Sequence, residues 1–125
     1  MAAWRRGLSA LLCGLAACGA LAQPAPRIVL GQSLPLSGPG FPIANRVLAG
    51  AKVLVDRVNA SGGVQGRLLE LVTLDDHGDP RRTADNVLAL VRQHGAVALL
   101  NCLGERACSA AAEASRALGV ALVGP

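Results

Sequence analysis

At 125 residues the chain is long enough for one domain or less. With 52% hydrophobic and 16% charged residues it has the composition of a globular chain rather than a disordered one. Its net charge is +4, and setting Arg5 and Arg6 aside leaves ten basic residues against eight acidic ones, with no basic run. Trp4 and Phe41 are the only aromatics, so nucleic-acid binding has neither an electrostatic footprint nor faces on which bases would stack.

Arg5 and Arg6 precede an apolar run from Gly7 to Ala20, and Ala20-Leu21-Ala22 puts small residues at the two positions read by a signal peptidase. Residues 1–22 are therefore expected to be a secretory signal peptide cut before Gln23. The run is too short to span a bilayer comfortably and has no polar face for a buried amphipathic helix. Leu15-Ala16-Ala17-Cys18 also fits a lipobox, in which Cys18 would be acylated. Either processing leaves the protein outside the cytoplasmic membrane, in the periplasm.

After Pro24 and Pro26, Arg27 to Leu34 reads as a strand, and Pro35 to Gly40 is a loop by composition. A helix is expected from Ile43 to Ala60, with Ile43, Val47, Ala51, Leu54 and Val58 as its apolar stripe and Arg46, Arg57 and Asn59 away from it. Gly62-Gly63 stops it, and Val64 to Gly66 is a turn. Leu68 to Leu74 is an apolar run interrupted by Glu70 and Thr73, the pattern of a covered strand. Asp79 before Pro80 reads as an N-cap with proline at the first helical position. The second helix has Ala84, Val87, Leu88 and Val91 on its expected buried face and ends at Gly95. Ala96 to Leu100 gives a third strand, Cys102 to Arg106 a loop, and Ala107 to Leu118 a helix with Ala107, Ala111, Ala114 and Leu118 on one side. Val120 to Val123 begins a fourth strand. The order β-α-β-α-β-α-β predicts an α/β fold, a Rossmann-like, doubly wound parallel sheet.

In such a sheet ligands sit beyond the carboxyl ends of the strands, here Leu34 to Pro42, Asp75 to Asp79, and Asn101 to Ser109. The last segment leads from a strand into a helix, so its free N–H groups would suit a carboxylate. Asp75, Asp76 and Asp79 are assigned to capping and loop fixing rather than to a metal or phospho-acceptor pocket. His77, His94, Cys102 and Cys108 fit no zinc spacing. Cys102 and Cys108 either pair in an oxidising compartment, closing a loop worth about 2 kcal/mol, or leave Cys102 free and buried. Ser33, Ser37 and Ser109 lie in no nucleophile elbow, the order of residues gives no Ser/His/Asp set, and PLSGPG lacks the spacing and lysine of a phosphate loop. No enzyme is read from these residues, and no cofactor or metal is expected.

The succession PLSG, GA in the first helix, NASGGVQGR at its end and DDHGDP before the second helix, behind a signal peptide, resembles the start of periplasmic substrate-binding proteins of the leucine/isoleucine/valine type. These are the receptor components of ABC importers, and the resemblance covers Arg27 to Pro125. It implies that residues 23–125 are the N-terminal lobe of a two-lobed type I binding protein, truncated before its second lobe. It further implies a small polar ligand, a branched-chain amino acid or related amide, delivered to an inner-membrane permease. In the family a Ser or Thr following a glycine in the third-strand loop helps to hold the ligand. That glycine corresponds to Gly104, and the hydroxyl position is filled by Glu105, followed by Arg106. A glutamate there would repel a ligand carboxylate, so Ser109 or the backbone substitutes, the ligand is not a simple amino acid, or Glu105 turns to solvent. The resemblance also implies an aromatic wall near the start of the first helix, which falls on Ile43 with Phe41 two residues earlier. The candidate ligand residues are thus Ser37, Phe41, Ile43, Leu103, Gly104, Glu105, Arg106 and Ser109. Two other readings remain: a ligand-sensing receptor domain of the same fold, and a flavodoxin-like phospho-receiver or enzyme.

Overall fold

The computed structural model describes residues 26–124; the expected signal peptide and Cys18 lie outside them. Four strands and three helices alternate: β1 (Ile28–Leu34), α1 (Phe41–Ala60), β2 (Leu69–Asp75), α2 (Pro80–Arg92), β3 (Ala98–Leu100), α3 (Glu105–Leu118) and β4 (Ala121–Val123). The strands form one parallel sheet in the order β2-β1-β3-β4. β1 is paired along its whole length with β2, Ile28 opposite Leu69 through Leu34 opposite Asp75, and more briefly with β3. Every element expected from the sequence is present, with ends displaced by one or two residues, the range over which helix and strand termini fray.

The chain moves leftward from β1 to β2 and rightward from β2 to β3 to β4. With right-handed crossovers this puts α1 on one face and α2 with α3 on the other, and α2 and α3 do pack on each other while α1 packs on β2. The core lies on the two-helix side, where Val87 and Leu90 of α2, Ala96, Leu99 and Cys102 around β3, and Ala111 of α3 are buried together. Gly31 permits the closest approach. A Cβ there would lie 3.1 Å from three atoms of the Leu90 side chain, so the absence of a side chain on β1 lets α2 seat against the sheet.

The rotation of α1 corrects the sequence reading. Ile43 and Leu54, both placed on the inward stripe, are each 59% exposed, whereas Ala44 and Val55 are buried with Leu48 and Ala51 half-buried between them. The apolar residues of this helix cover an arc wide enough to hold two overlapping stripes, and hydrogen bonding decides between them. Asn59, read as facing away, instead accepts from the Leu69 amide (2.7 Å) and donates to the Leu69 carbonyl (2.9 Å), pinning the end of α1 to the start of β2. In α2 the buried positions are Thr83, Val87 and Leu90, and Leu88, expected inside, is 39% exposed. A polar residue holds the inward place because its hydroxyl has two acceptors, Asp76 Oδ2 and the Asp79 carbonyl. In α3 Ala107, Ala111 and Ser115 are buried, with Ala114 and Leu118 packing at the edge of the core.

Gly63 ends α1. Its φ is +76°, its amide bonds the Val58 carbonyl, and a Cβ there would sit 2.1 Å from the Arg67 carbonyl oxygen, so no other residue fits.

Candidate functional site

The order β2-β1-β3-β4 makes β1 and β3 neighbours from which the chain departs in opposite directions, the switch point at which open parallel sheets bind ligands. The polar residues near these strand tips form two hydrogen-bonded groups. Asp76, fully buried, accepts from the Ser33 hydroxyl (2.9 Å) and the Thr83 hydroxyl (3.2 Å) on Oδ2, and from the Gly78 amide (2.8 Å) on Oδ1. Asn86 donates to Ser33 Oγ and to the Asp75 carbonyl, each at 3.1 Å. Gln32 donates to Thr73 Oγ1 at 3.0 Å and accepts from Asn101 at 3.4 Å, tying β2, β1 and the end of β3 together. Among the described residues no buried side-chain nitrogen or oxygen is left unpaired. These bonds fix the tips because a buried partner left without one, such as the Ser33 hydroxyl, loses it away from water.

The three aspartates cap and fix loops. Asp79 accepts from the Arg81 amide (2.8 Å) at the start of α2. Asp75 Oδ1 accepts from the Leu36 and His77 amides, both at 2.9 Å, which joins the β1–α1 and β2–α2 loops. Ser37 Oγ bonds His77 Nδ1, and His77 Nε2 lies 3.6 Å from Asp75 Oδ2. The fold thus assembles a Ser, a His and an Asp that residue order had not suggested, and their contacts form a tie between two loops. Burial raises the Asp75 carboxyl, but the His77 amide, the Ser37 hydroxyl, the Leu36 amide and the charge of His77 together outweigh it and hold its pKa below the usual value. A carboxyl with a depressed folded pKa contributes stability that is present above its unfolded pKa and lost as pH falls through the folded one. Urea midpoints of wild type should therefore fall on acidification below the ordinary aspartate range, and Asp75→Asn should lower the midpoint at neutral pH while flattening that acid limb. An unchanged acid limb in the variant would contradict this role.

The candidate ligand wall is a shallow depression of about 370 Å³ lined by Gly78, Leu103, Gly104, Glu105, Arg106 and Ala107. Gly104 precedes α3 with φ +90° and supplies no side-chain cap, and the first intrahelical bond runs from the Cys108 amide to the Gly104 carbonyl (2.8 Å). The amides of Glu105, Arg106 and Ala107 precede that bond, so they are the orphan donors of the helix start. A carboxylate or carbonyl in the depression would find them there. Cys102, at the end of β3, is joined by a disulfide to Cys108 of α3, with their Cα atoms 5.2 Å apart.

Leu103, Gly104, Glu105 and Arg106 are thus brought to one depression, together with Gly78 of the β2–α2 loop, which sequence reasoning had not named. Glu105 and Arg106 are exposed in the first turn of α3, which starts two residues earlier than expected, and neither forms an ion pair with a described residue. Ser109 is exposed in the next turn and does not line the depression. Ser37 is engaged by His77. Phe41 (45% exposed) and Ile43 start α1 and also lie outside the depression. A second opening, about 440 Å³, lies between α1 and the ends of β3 and β4, lined by Arg46, Val47, Leu54, Leu100, Asn101 and Val123 among others. It lies beside α1 rather than at the start of α3, so it does not hold the orphan amides.

Comparison with known proteins gives a consistent set of relatives. The family model described as "Periplasmic binding protein" matches residues 27–125. A Leu/Ile/Val-binding protein of Rhizobium johnstonii is 36% identical over 55 residues, 44% of this chain and 15% of that protein. The branched-chain amino acid transporter substrate binding protein LivJ from Streptococcus pneumoniae, solved with isoleucine, matches with a TM-score of 0.74 and 28% identity over 78% of this chain. A substrate-binding periplasmic protein from Ralstonia solanacearum matches with a TM-score of 0.75 and 34% identity, again over 78% of this chain. The chain spans 28% of the length of each of these two solved structures.

Proposed function

The chain belongs to the periplasmic binding protein family, and from that membership we propose that it supplies one wall of a ligand cleft in the substrate-binding component of an ABC importer. The ligand class is a branched-chain amino acid or a related small amino acid or amide, captured outside the cytoplasmic membrane and passed to a membrane permease. The observation that carries this reading is the depression between the β2–α2 loop and the start of α3, where three unpaired amides of α3 meet Gly78 and the apolar Leu103 and Ala107. Such a wall takes the polar end of a ligand on its amides and leaves the rest for an opposing surface. It binds rather than transforms: the Ser37, His77 and Asp75 contacts hold loops in place. On this reading residues 23–125 form one lobe of a two-lobed receptor, whose second lobe would supply the remaining ligand contacts and the closure about a hinge.

One wall buries only part of a small ligand, too little to offset the entropy of capture by more than about 4 kcal/mol, which corresponds to millimolar affinity. Titration of the chain with leucine, isoleucine and valine, followed by amide NMR, should give millimolar dissociation constants. The shifts should be concentrated at Gly78 and at Gly104 to Cys108. Micromolar binding, or shifts spread away from these amides, would overturn the single-wall reading.

A further inference from the structure

Five of the six residues lining the depression, Leu103 to Ala107, lie inside the short ring closed by Cys102 and Cys108; Gly78 alone lies outside it. That ring also contains the start of α3, where Gly104 offers no side-chain acceptor and the opposite charges of Glu105 and Arg106 offset each other at the positive end of the helix dipole. The turn that forms the wall thus has little local reason to stay wound. Ala107 anchors it from inside, and the disulfide holds it from both ends. We propose that Cys102–Cys108 is a redox-sensitive clasp on the ligand wall: oxidised, it keeps the first turn of α3 in place, and reduced, it lets that turn fray while the sheet and α2 stay folded.

The two sulfurs differ in access. Cys102 is buried at 8% exposure and Cys108 only partly buried, so Cys108 is the side from which a thiolate of an external dithiol attacks. It forms a mixed disulfide there, and Cys102 leaves as a thiolate that takes up a proton. The second thiolate of the reagent then displaces Cys108 as a thiol and closes the reagent's own disulfide, so that two electrons and two protons end on the protein. The reduced cysteines remain small apolar side chains that the core tolerates, and five of the six buried members of the core cluster, Val87, Leu90, Ala96, Leu99 and Ala111, lie outside the ring.

The proposal concerns the wall itself, and only its consequence for ligand rests on the functional reading above. Amide hydrogen exchange of the oxidised chain, the chain reduced with a dithiol, and Cys102→Ala/Cys108→Ala separates the possibilities. Reduction should speed exchange at Cys108, Ser109 and Ala110 by roughly 30-fold and leave Val87 to Leu90 of α2 unchanged. The double variant should show the fast rates with or without dithiol, and reoxidation of wild type should restore the slow ones. Equal exchange in oxidised and reduced chains would overturn the proposal, as would equal acceleration in α2, which would make the bond a global staple. Adding leucine gives a separate reading. Shifts at Gly104 to Cys108 in the oxidised chain should disappear on reduction, and if they persist unchanged the clasp does not govern binding. If the oxidised chain shows no leucine shifts, the functional reading fails, and the exchange result still decides the clasp.

Discussion

Asp76→Ala is expected to destabilise the protein by about 3 kcal/mol, a large share of the stability of a small domain. Asp76 is fully buried, and its two carboxylate oxygens serve three donors. The consequences for those donors differ. Thr83 keeps a second acceptor in the Asp79 carbonyl, so its hydroxyl is not stranded. The Gly78 amide and the Ser33 hydroxyl lose the acceptors that the carboxylate provides, and each hydrogen bond to a charged group contributes about 1.5–3 kcal/mol. Asp76→Asn should cost only about 1 kcal/mol. Its oxygen can still accept from Gly78, and its amide faces two hydroxyl oxygens that can rotate to accept. Urea unfolding should therefore rank wild type above Asn above Ala. An Ala variant as stable as wild type, or an Asn variant less stable than Ala, would show that the network does not hold the strand tips.

The second large effect is expected at Leu90→Ala, about 3 kcal/mol within the usual range for emptying a buried leucine site. Leu90 has no exposed surface and fills the space over Gly31. The pairing makes a sharper test than the single loss. Gly31→Ala alone forces a methyl group to within 3.1 Å of the Leu90 side chain and should cost about 1–2 kcal/mol through overpacking. In the Leu90→Ala background that methyl group enters vacated space. The double-mutant cycle should then show coupling of about 1 kcal/mol or more in the favourable direction. Additive losses would mean that Gly31 does not set the approach of α2.

These residues also show how far the sequence could be read. The alternation of strands and helices was legible because each boundary carries its own chemistry: Gly62-Gly63 at the end of α1, Asp79-Pro80 at the start of α2, Gly95 after α2. The segment from Leu103 to Arg106 stood out as a candidate because it joins a strand end to a helix start, and the fold gathers it into one depression with Gly78. The rotation of α1 was not, because its apolar residues satisfy two stripes and only the bonds between Asn59 and Leu69 choose one. Nor was the network around Asp76, whose members Ser33, Thr83 and Asn86 are brought together only by the fold. Its traces were present in Gln32 and Ser33, polar residues in an otherwise apolar strand, and in Thr83, which stands at helical spacing from Val87 and Leu90. Placing Phe41 and Ile43 at a ligand relied on resemblance, and in the described residues both are exposed and apart from the depression.

The central claim is that ligand is held at the start of α3 rather than in the wider opening beside α1. Photo-crosslinking with a diazirine analogue of leucine, followed by peptide mass spectrometry, asks this directly. Adducts confined to the peptides carrying Gly78 and Leu103 to Ala107, and reduced by excess leucine, are the predicted result. Leucine-sensitive adducts on Arg46 to Leu54 of α1 instead would contradict it.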